Sequence, residues 1–423
     1  MQLTKQAKKG QAKKGQTRQG GAVRSLLSAA SAGLLLAVPL AHAEGSSDEP
    51  WRVDVGTMRY SEKNRINVSE LNFRAKRQLG EEDSLSVRAD YDSVSGASPT
   101  GAAKIQTTSS ASGGAPMASF KAARTAMGVD WDTSLTPETR LTLAADHSSQ
   151  KTYSSAGLGG SVARDFNQRN TTLVFGASYS VDTIKPANGI HTELMTTNAA
   201  TIRAASEEKS QVDLQLGITQ VLTREALLQL NYVRGNASGY MTNPYKIISE
   251  VDPVTGVNAN GVARTEKRPD KRGSNVIYAQ LNYALESAVL YSSYRYFQDD
   301  WGIKAHTVDF KYRKPITERL YIQPNIRLYT QSAADFYRSM LYTTEITPAY
   351  ASADYRMAKM HTNSVGVKLG YKPLSGGEFT TRVEVMRQDG EQQPDDAVGV
   401  QKDAGVFPTL DAVLFHIGYT LAF

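Results

Sequence analysis

The stretch Ala412–Phe423 reads AVLFHIGYTLAF, and its two registers differ sharply. Val413, Phe415, Ile417, Tyr419, Leu421 and Phe423 form one register, all of them apolar or aromatic. The other holds Ala412, Leu414, His416, Gly418, Thr420 and Ala422, mostly small or polar. Side chains alternate across a strand, so this spacing predicts a strand with one continuous greasy face. The fold depends on whether that pattern is local or runs through the whole chain.

Working back through the chain, the same period-two pattern recurs from Trp51 onward, without a helix-period stretch of useful length. Leu71, Phe73 and Ala75 alternate with Asn72, Arg74 and Lys76, and after a short turn Leu85, Val87 and Ala89 alternate with Ser86, Arg88 and Asp90. Val212, Leu214 and Leu216 alternate with Asp213 and Gln215, and Val308 and Phe310 with Asp309 and Lys311. Short turns such as 79–82, 136–139, 286–287 and 375–377 alternate with long polar segments near 93–120, 185–210, 235–273, 333–360 and 389–409. The segment 93–120 reads as too polar to pack a core. About sixteen strands, of about ten residues each, with turns at one end and loops at the other, predict an all-β transmembrane antiparallel barrel. A soluble sandwich does not explain that asymmetry, and closure is required because no open strand edge survives in hydrocarbon. In that setting Tyr419, Leu421 and Phe423 resemble the C-terminal assembly signal of bacterial outer-membrane barrels, which makes the barrel-assembly machinery an expected partner, beside the lipid itself.

Composition agrees. Hydrophobic residues make up 40% of the chain and mean hydropathy is −0.40, which excludes a multi-helix membrane protein but not a barrel, where every second residue meets lipid. Tyrosines number 21, against 11 phenylalanines and 3 tryptophans, as expected where many aromatics sit between lipid and water. The chain has no cysteine, which rules out thiolate catalysis and thiolate-ligated metals. Residues 1–43 carry Lys5, Lys8, Lys9, Lys13, Lys14, Arg18 and Arg24 and no acid, then an apolar run from Leu26 to Leu40 and Ala41-His42-Ala43. This reads as a signal peptide cleaved after Ala43, followed by a barrel over 44–423 in the outer membrane of a Gram-negative bacterium. Subtracting those seven basic residues from 48 leaves 41 against 42 acidic ones, so the body is near neutral and nucleic acid is not an expected partner.

The register opposite the greasy one carries the candidate chemistry: Arg74, Lys76, Arg88, Asp90, Asp130, Asp132, Asp213, Asp309, Lys311, Arg313, Lys368, Arg382 and Glu384. Mixed charge along an inner wall suits a hydrated pore passing small hydrophilic solutes, and equally a lumen filled by salt bridges. Sixteen strands favour the hydrated form, because interior width grows with strand number. Asp299, Asp300 and His306 form a possible rim cluster, since two carboxylates and an imidazole can activate water or bridge a cation. Asp-Asp-x-Gly is also an ordinary turn composition, and His306 falls on the greasy register. No other histidine (His147, His191, His361, His416) has a recognisable catalytic companion, and Asp252–Gly256 lacks calcium-loop spacing. No catalytic, metal or cofactor residue is therefore assigned. A channel leads, a surface protein acting through its loops comes second, and a barrel enzyme third.

Seven stretches carry a family resemblance: YSEKNRI from Tyr60, YDSVSGASP from Tyr91, ARDFNQRNTT from Ala163, GYMTNPYK from Gly239, YRYFQDDWGIKAHT from Tyr294, QSAADFY from Gln331 and YASADYR from Tyr350. Through them the chain resembles the bacterial domain-of-unknown-function family 3570, uncharacterised outer-membrane β-barrel proteins. The resemblance implies a barrel and the outer membrane, and supplies neither substrate nor catalytic residues.

Overall fold

Alternation with a period of two gives every strand an inner and an outer face, and in the computed structural model sixteen such strands close into one antiparallel barrel. The structure describes residues 51–103, 116–258, 261–391, 395, 397–403, 405 and 407–423. The expected leader at 1–43 lies outside them. The first eight strands are β1 (Trp51–Glu62), β2 (Ile66–Gln78), β3 (Asp83–Pro99), β4 (Met117–Thr136), β5 (Thr139–Gln150), β6 (Tyr153–Phe166), β7 (Thr171–Ile184) and β8 (Glu207–Val221). Then come β9 (Ala226–Gly239), β10 (Lys271–Leu285), β11 (Ala288–Asp299), β12 (Lys304–Pro315), β13 (Leu320–Gln331), β14 (Met360–Tyr371), β15 (Glu378–Gly390) and β16 (Leu410–Ala422). Each pairs with its chain neighbours, and β16 closes on β1 with Val53 opposite Leu421, Val55 opposite Tyr419 and Thr57 opposite Ile417. Beyond the ladder, Trp51 and Phe423 exchange backbone hydrogen bonds of 3.0 and 2.9 Å.

The apolar register faces outward. Leu71, Phe73, Met127, Leu158, Phe175 and Val365 are among the exposed large hydrophobics of the strand walls. The strands alternate between two ends. At one, every connection is a turn of six residues or fewer, for example 137–138, 286–287 and 372–377. The 167–170 turn uses left-handed backbone at Asn167, Gln168 and Arg169. The other end carries the segments 100–116, 185–206, 240–270, 332–359 and 391–409, with short connections at 63–65, 151–152 and 300–303.

Two expectations need correction. The segment 93–120 is mostly strand: Ser93–Pro99 pairs with Met117–Ala123, leaving a loop of only 100–116. Likewise 235–273 contracts to 240–270, because β9 and β10 run past the greasy band. Small and polar residues extend a strand there because the ladder satisfies their backbone whatever the side chain. Val94 and Phe120 are moreover core residues, buried with Tyr60, Ile66, Val68, Leu410 and Ala412 on the inner face near the loop end. The inner register is thus polar through most of the barrel and apolar on this one arc.

Candidate functional site

A ring of sixteen strands spaced about 4.8 Å and tilted about 40° is roughly 32 Å across, wider than side chains can fill. The thirteen charged residues singled out in the sequence all fall on its inner register, opposite the exposed apolar one. Side chains on this concave face reach past a neighbouring strand: Arg74 on β2 lies 3.6 Å from Asp130 on β4, and Asn325 on β13 donates to Glu384 on β15 at 3.2 Å. Among the described residues nothing fills the middle of the barrel. The inward side chains of Arg74, Lys76, Arg327 and Arg382 are 49, 45, 51 and 40% exposed, values that a filled interior would not allow.

The inner wall divides into arcs of different chemistry. On β2–β5 charges are paired: Arg88 reaches Asp130 and Asp146, each at 2.9 Å, Lys76 lies 3.9 Å from Asp132, and Arg124 holds the buried Asp92 at 2.6 Å. Asp90 stands opposite Asn72 in the same arc. On β6–β9 the inner register is small and neutral at mid-height, with Gly157, Gly159, Ser178, Ser180, Gly217 and Asn231. Asp213, toward the loops, accepts from Gln211 at 2.8 Å. On β11–β15 basic residues predominate: Arg295, Lys311, Arg313, Arg327, Lys368 and Arg382 against Asp299, Asp309, Glu378 and Glu384. Only Arg327 (3.4 Å to Asp309) and Arg382 (3.8 Å to Glu384) form ion pairs within this set, and Asp299 is held by Arg272.

The loop end is covered. Lys246, in the β9–β10 loop, donates to Ser98 Oγ and the Pro99 carbonyl at the end of β3, six strands away around the ring. Chain segments from such distant strands meet only by crossing the mouth. The five long loops take part, together with the short 300–303 connection. Ile247–Val251 forms a small sheet with Ala263–Thr265 and Leu341–Tyr342. Leu194, Ile248, Leu341, Ala351 and Ala353 bury one core, and Ala103, Val251, Met340 and Ala397 another. Trp301, Ile303, Ala334 and Phe336 make a third, with the Trp301 and Phe336 rings edge-on at 5.1 Å. Between them sits a buried ionic network. Arg268 lies 2.7 Å from Glu266 and donates to Asp354 at 2.8 Å, while Arg356 donates to Asp354 at 2.9 Å. Burial pushes the Asp354 carboxyl up, but Arg356, Lys246 and Arg268 outweigh it and hold the group well below the usual carboxylate range. Burial brings the Lys246 ammonium down to about 8, against the pull of Asp354. The sequence reading missed this network, since nothing in a loop's composition shows which distant loop will neutralise it.

The rim cluster is not brought together. Asp299 is buried, caps the turn through Trp301 N (3.1 Å) and Ile303 N (2.9 Å) and pairs with Arg272. Asp300 accepts from Gly273 N at 2.8 Å. His306 points outward, its Nδ1 2.8 Å from the Tyr294 hydroxyl. Asp252 folds into a tight turn, accepting from Val254 N at 3.0 Å and Thr255 N at 2.7 Å. Tyr419 and Leu421 stand on the outer face of β16, the Tyr419 ring 4.3 Å from that of Phe379.

Fold and wall together define a closed sixteen-stranded barrel with a greasy outside, a hollow charged interior and a loop-built cap. The family described as "Protein of unknown function (DUF3570)" matches residues 24–421, and the chain belongs to it. No curated protein matches. Among solved structures, the siderophore receptor PirA from Acinetobacter baumannii is similar at 8% identity and TM-score 0.43, over 82% of this chain and 54% of that one. A mutant of the ferric enterobactin receptor PfeA from Pseudomonas aeruginosa is similar at 11% identity and TM-score 0.42, over 81% and 54%. OccK2 (OpdF) from Pseudomonas aeruginosa, in complex with glucuronate, is similar at 10% identity and TM-score 0.41, over 89% and 98%. The chain thus spans about half the length of the two receptors.

Proposed function

We propose that this chain is an outer-membrane channel for small hydrophilic solutes, entered from outside through a mouth that its own loops cover. The observation that carries this reading is the exposure of charged side chains on the inner face of a closed ring. Water must fill that space, and the greasy outer face of the same strands calls for lipid. In this reading residues 1–43 export the chain, and the alternating face of β16 is what the barrel-assembly machinery reads. Conductance in a planar bilayer tests it, using the refolded wild-type barrel and a variant with the 240–270 loop shortened. Steps of current from either support the channel, with the shortened variant opening more often. Silence from both, at all voltages, sinks it. The surface-protein reading would then lead, supported by a cap that has cores of its own, and crosslinking through that cap would identify its partner.

A further inference from the structure

The basic arc has a feature that the paired arc lacks: its cations outnumber its acids, and several of them make no ion-pair contact. Among the described residues Lys311, Arg313 and Lys368 form no ion pair within 4 Å; Lys368 lies within electrostatic reach of one acid, Glu378, and of three cations, Arg313, Arg382 and Lys311. Lys311 and Arg313 share β12, while Lys368 and Arg382 stand opposite each other on β14 and β15. Like charges gathered on one wall repel, so the cluster is stable only if water or an anion screens it.

Arg313 shows how the arc is built. Its guanidinium lies over the Tyr321 ring, 3.8 Å from the centroid, and the Tyr321 hydroxyl donates to Glu378 at 2.7 Å. Stacking holds the guanidinium plane without using its N–H groups, which leaves the in-plane fork free for a bidentate acceptor. Gly370 makes this possible. A Cβ there would stand 2.0 Å from the Tyr321 ring, so only glycine lets the ring lie flat against β14. Arg382 adds a buried Nε that makes no hydrogen bond and lies 3.8 Å from Glu384 Oε2.

We infer that Lys311, Arg313, Lys368 and Arg382 form a binding site, in the half of the barrel nearer the turns, for a small solute bearing carboxylate or phosphate groups. The inference deepens the channel reading and rests on its hollow lumen. Arg313 supplies the planar fork and the two lysines supply point charges. The paired arc on β2–β5, with each cation already neutralised, offers no second anion site. Solute crossing the barrel is therefore drawn to one wall.

Binding can be measured without conduction, by calorimetry on the refolded full-length barrel in detergent. The probes are inorganic phosphate and gluconate, with glucose as the uncharged control. Both anions should bind, more weakly as salt rises, and glucose should not. Lys311→Gln with Lys368→Gln should weaken anion binding at least about tenfold, the scale of one charge-assisted hydrogen bond. Arg313→Lys keeps the charge and loses the fork, and Gly370→Ala keeps every charge and displaces Tyr321; each should weaken binding too. Arg74→Gln with Lys76→Gln, on the paired arc, should leave it within about twofold. Glucose binding as well as the anions, or the paired-arc variant losing as much as the basic-arc one, overturns the site. A barrel that conducts without binding anions defeats this inference alone, whereas one that binds them but never conducts defeats the channel and leaves the site standing.

Discussion

Replacing Asp354 with Asn should open the cap without touching the barrel. Asp354 is fully buried, and its carboxylate is the shared acceptor of Arg268 and Arg356. The amide keeps the volume and removes the charge, leaving two buried guanidinium groups and Lys246 with Glu266 as the remaining buried acid of that network. Breaking a buried ion pair in this way costs about 3–5 kcal/mol. If the cap opens as a unit, that cost shifts its open–closed balance by roughly 100- to 1,000-fold or more. Hydrogen exchange reads the shift directly. The reciprocal bonds between Lys267 and Ala351 (2.9 Å each way) and the bond from Thr343 N to Val251 O (3.0 Å) belong to the cap alone. Their amides should exchange faster by that factor, while ladder amides such as those pairing β1 with β16 keep their protection. Cap and ladder amides accelerating together would show that the loops are not a separate cooperative unit. No acceleration at all would show that the network holds nothing shut.

Three further expectations are simpler to test. Ile417→Lys places a charge on the outer face of β16, at a cost of about 2–4 kcal/mol near the bilayer midplane, whereas Thr420→Lys points inward; only the first should deplete folded barrel in a heat-modifiability gel. Epitope tags inserted at Val254 (79% exposed) or Ile346 (94%) should be labelled on intact cells, and a tag at Leu374 (82%) should not; the opposite pattern would invert the barrel. Lys246 titrates at about 8 in the cap and near its ordinary 10.5 once released, so the opened state binds more protons between those values and the cap gains stability as pH rises from about 8 to 10. Cap amides, corrected for intrinsic rates, should become better protected over that window, and Lys246→Met should abolish the trend.

The barrel was legible because lipid imposes a rule on every strand. Apolar residues at every second position, from Leu71 and Phe73 to Ile417 and Tyr419, reveal one face whatever the partner strand is. Strand ends were less legible. Past the greasy band nothing forces alternation, so Ser93–Pro99 reads as loop although the ladder continues. The rim cluster misleads for a related reason: Asp299 and His306 are close in sequence, but strand parity sends one inward and the other outward.

What a wall charge can do depends on its neighbours across the strand pair, and register decides that. Arg74 and Arg313 look alike in the sequence, each alternating with apolar residues. Pairing puts Asp130 near Arg74 and an aromatic ring beneath Arg313, so the first is neutralised and the second left available. The cap follows the same logic at longer range. Six of the seven stretches that carry the family resemblance contribute to the loop end: Arg65, Pro99, Lys246, Trp301, Phe336 and Asp354 each belong to a different one. The seventh, around Asn167, forms a turn at the opposite end. Such stretches are far apart in the chain and mean little one by one, because their chemistry is completed only by a partner from another loop. A cap so interlocked is expected to open as a whole, the outcome that the exchange of its amides tests. If the barrel is the channel proposed above, solute passage is governed first by the Asp354 network and only afterwards by the charges of the wall.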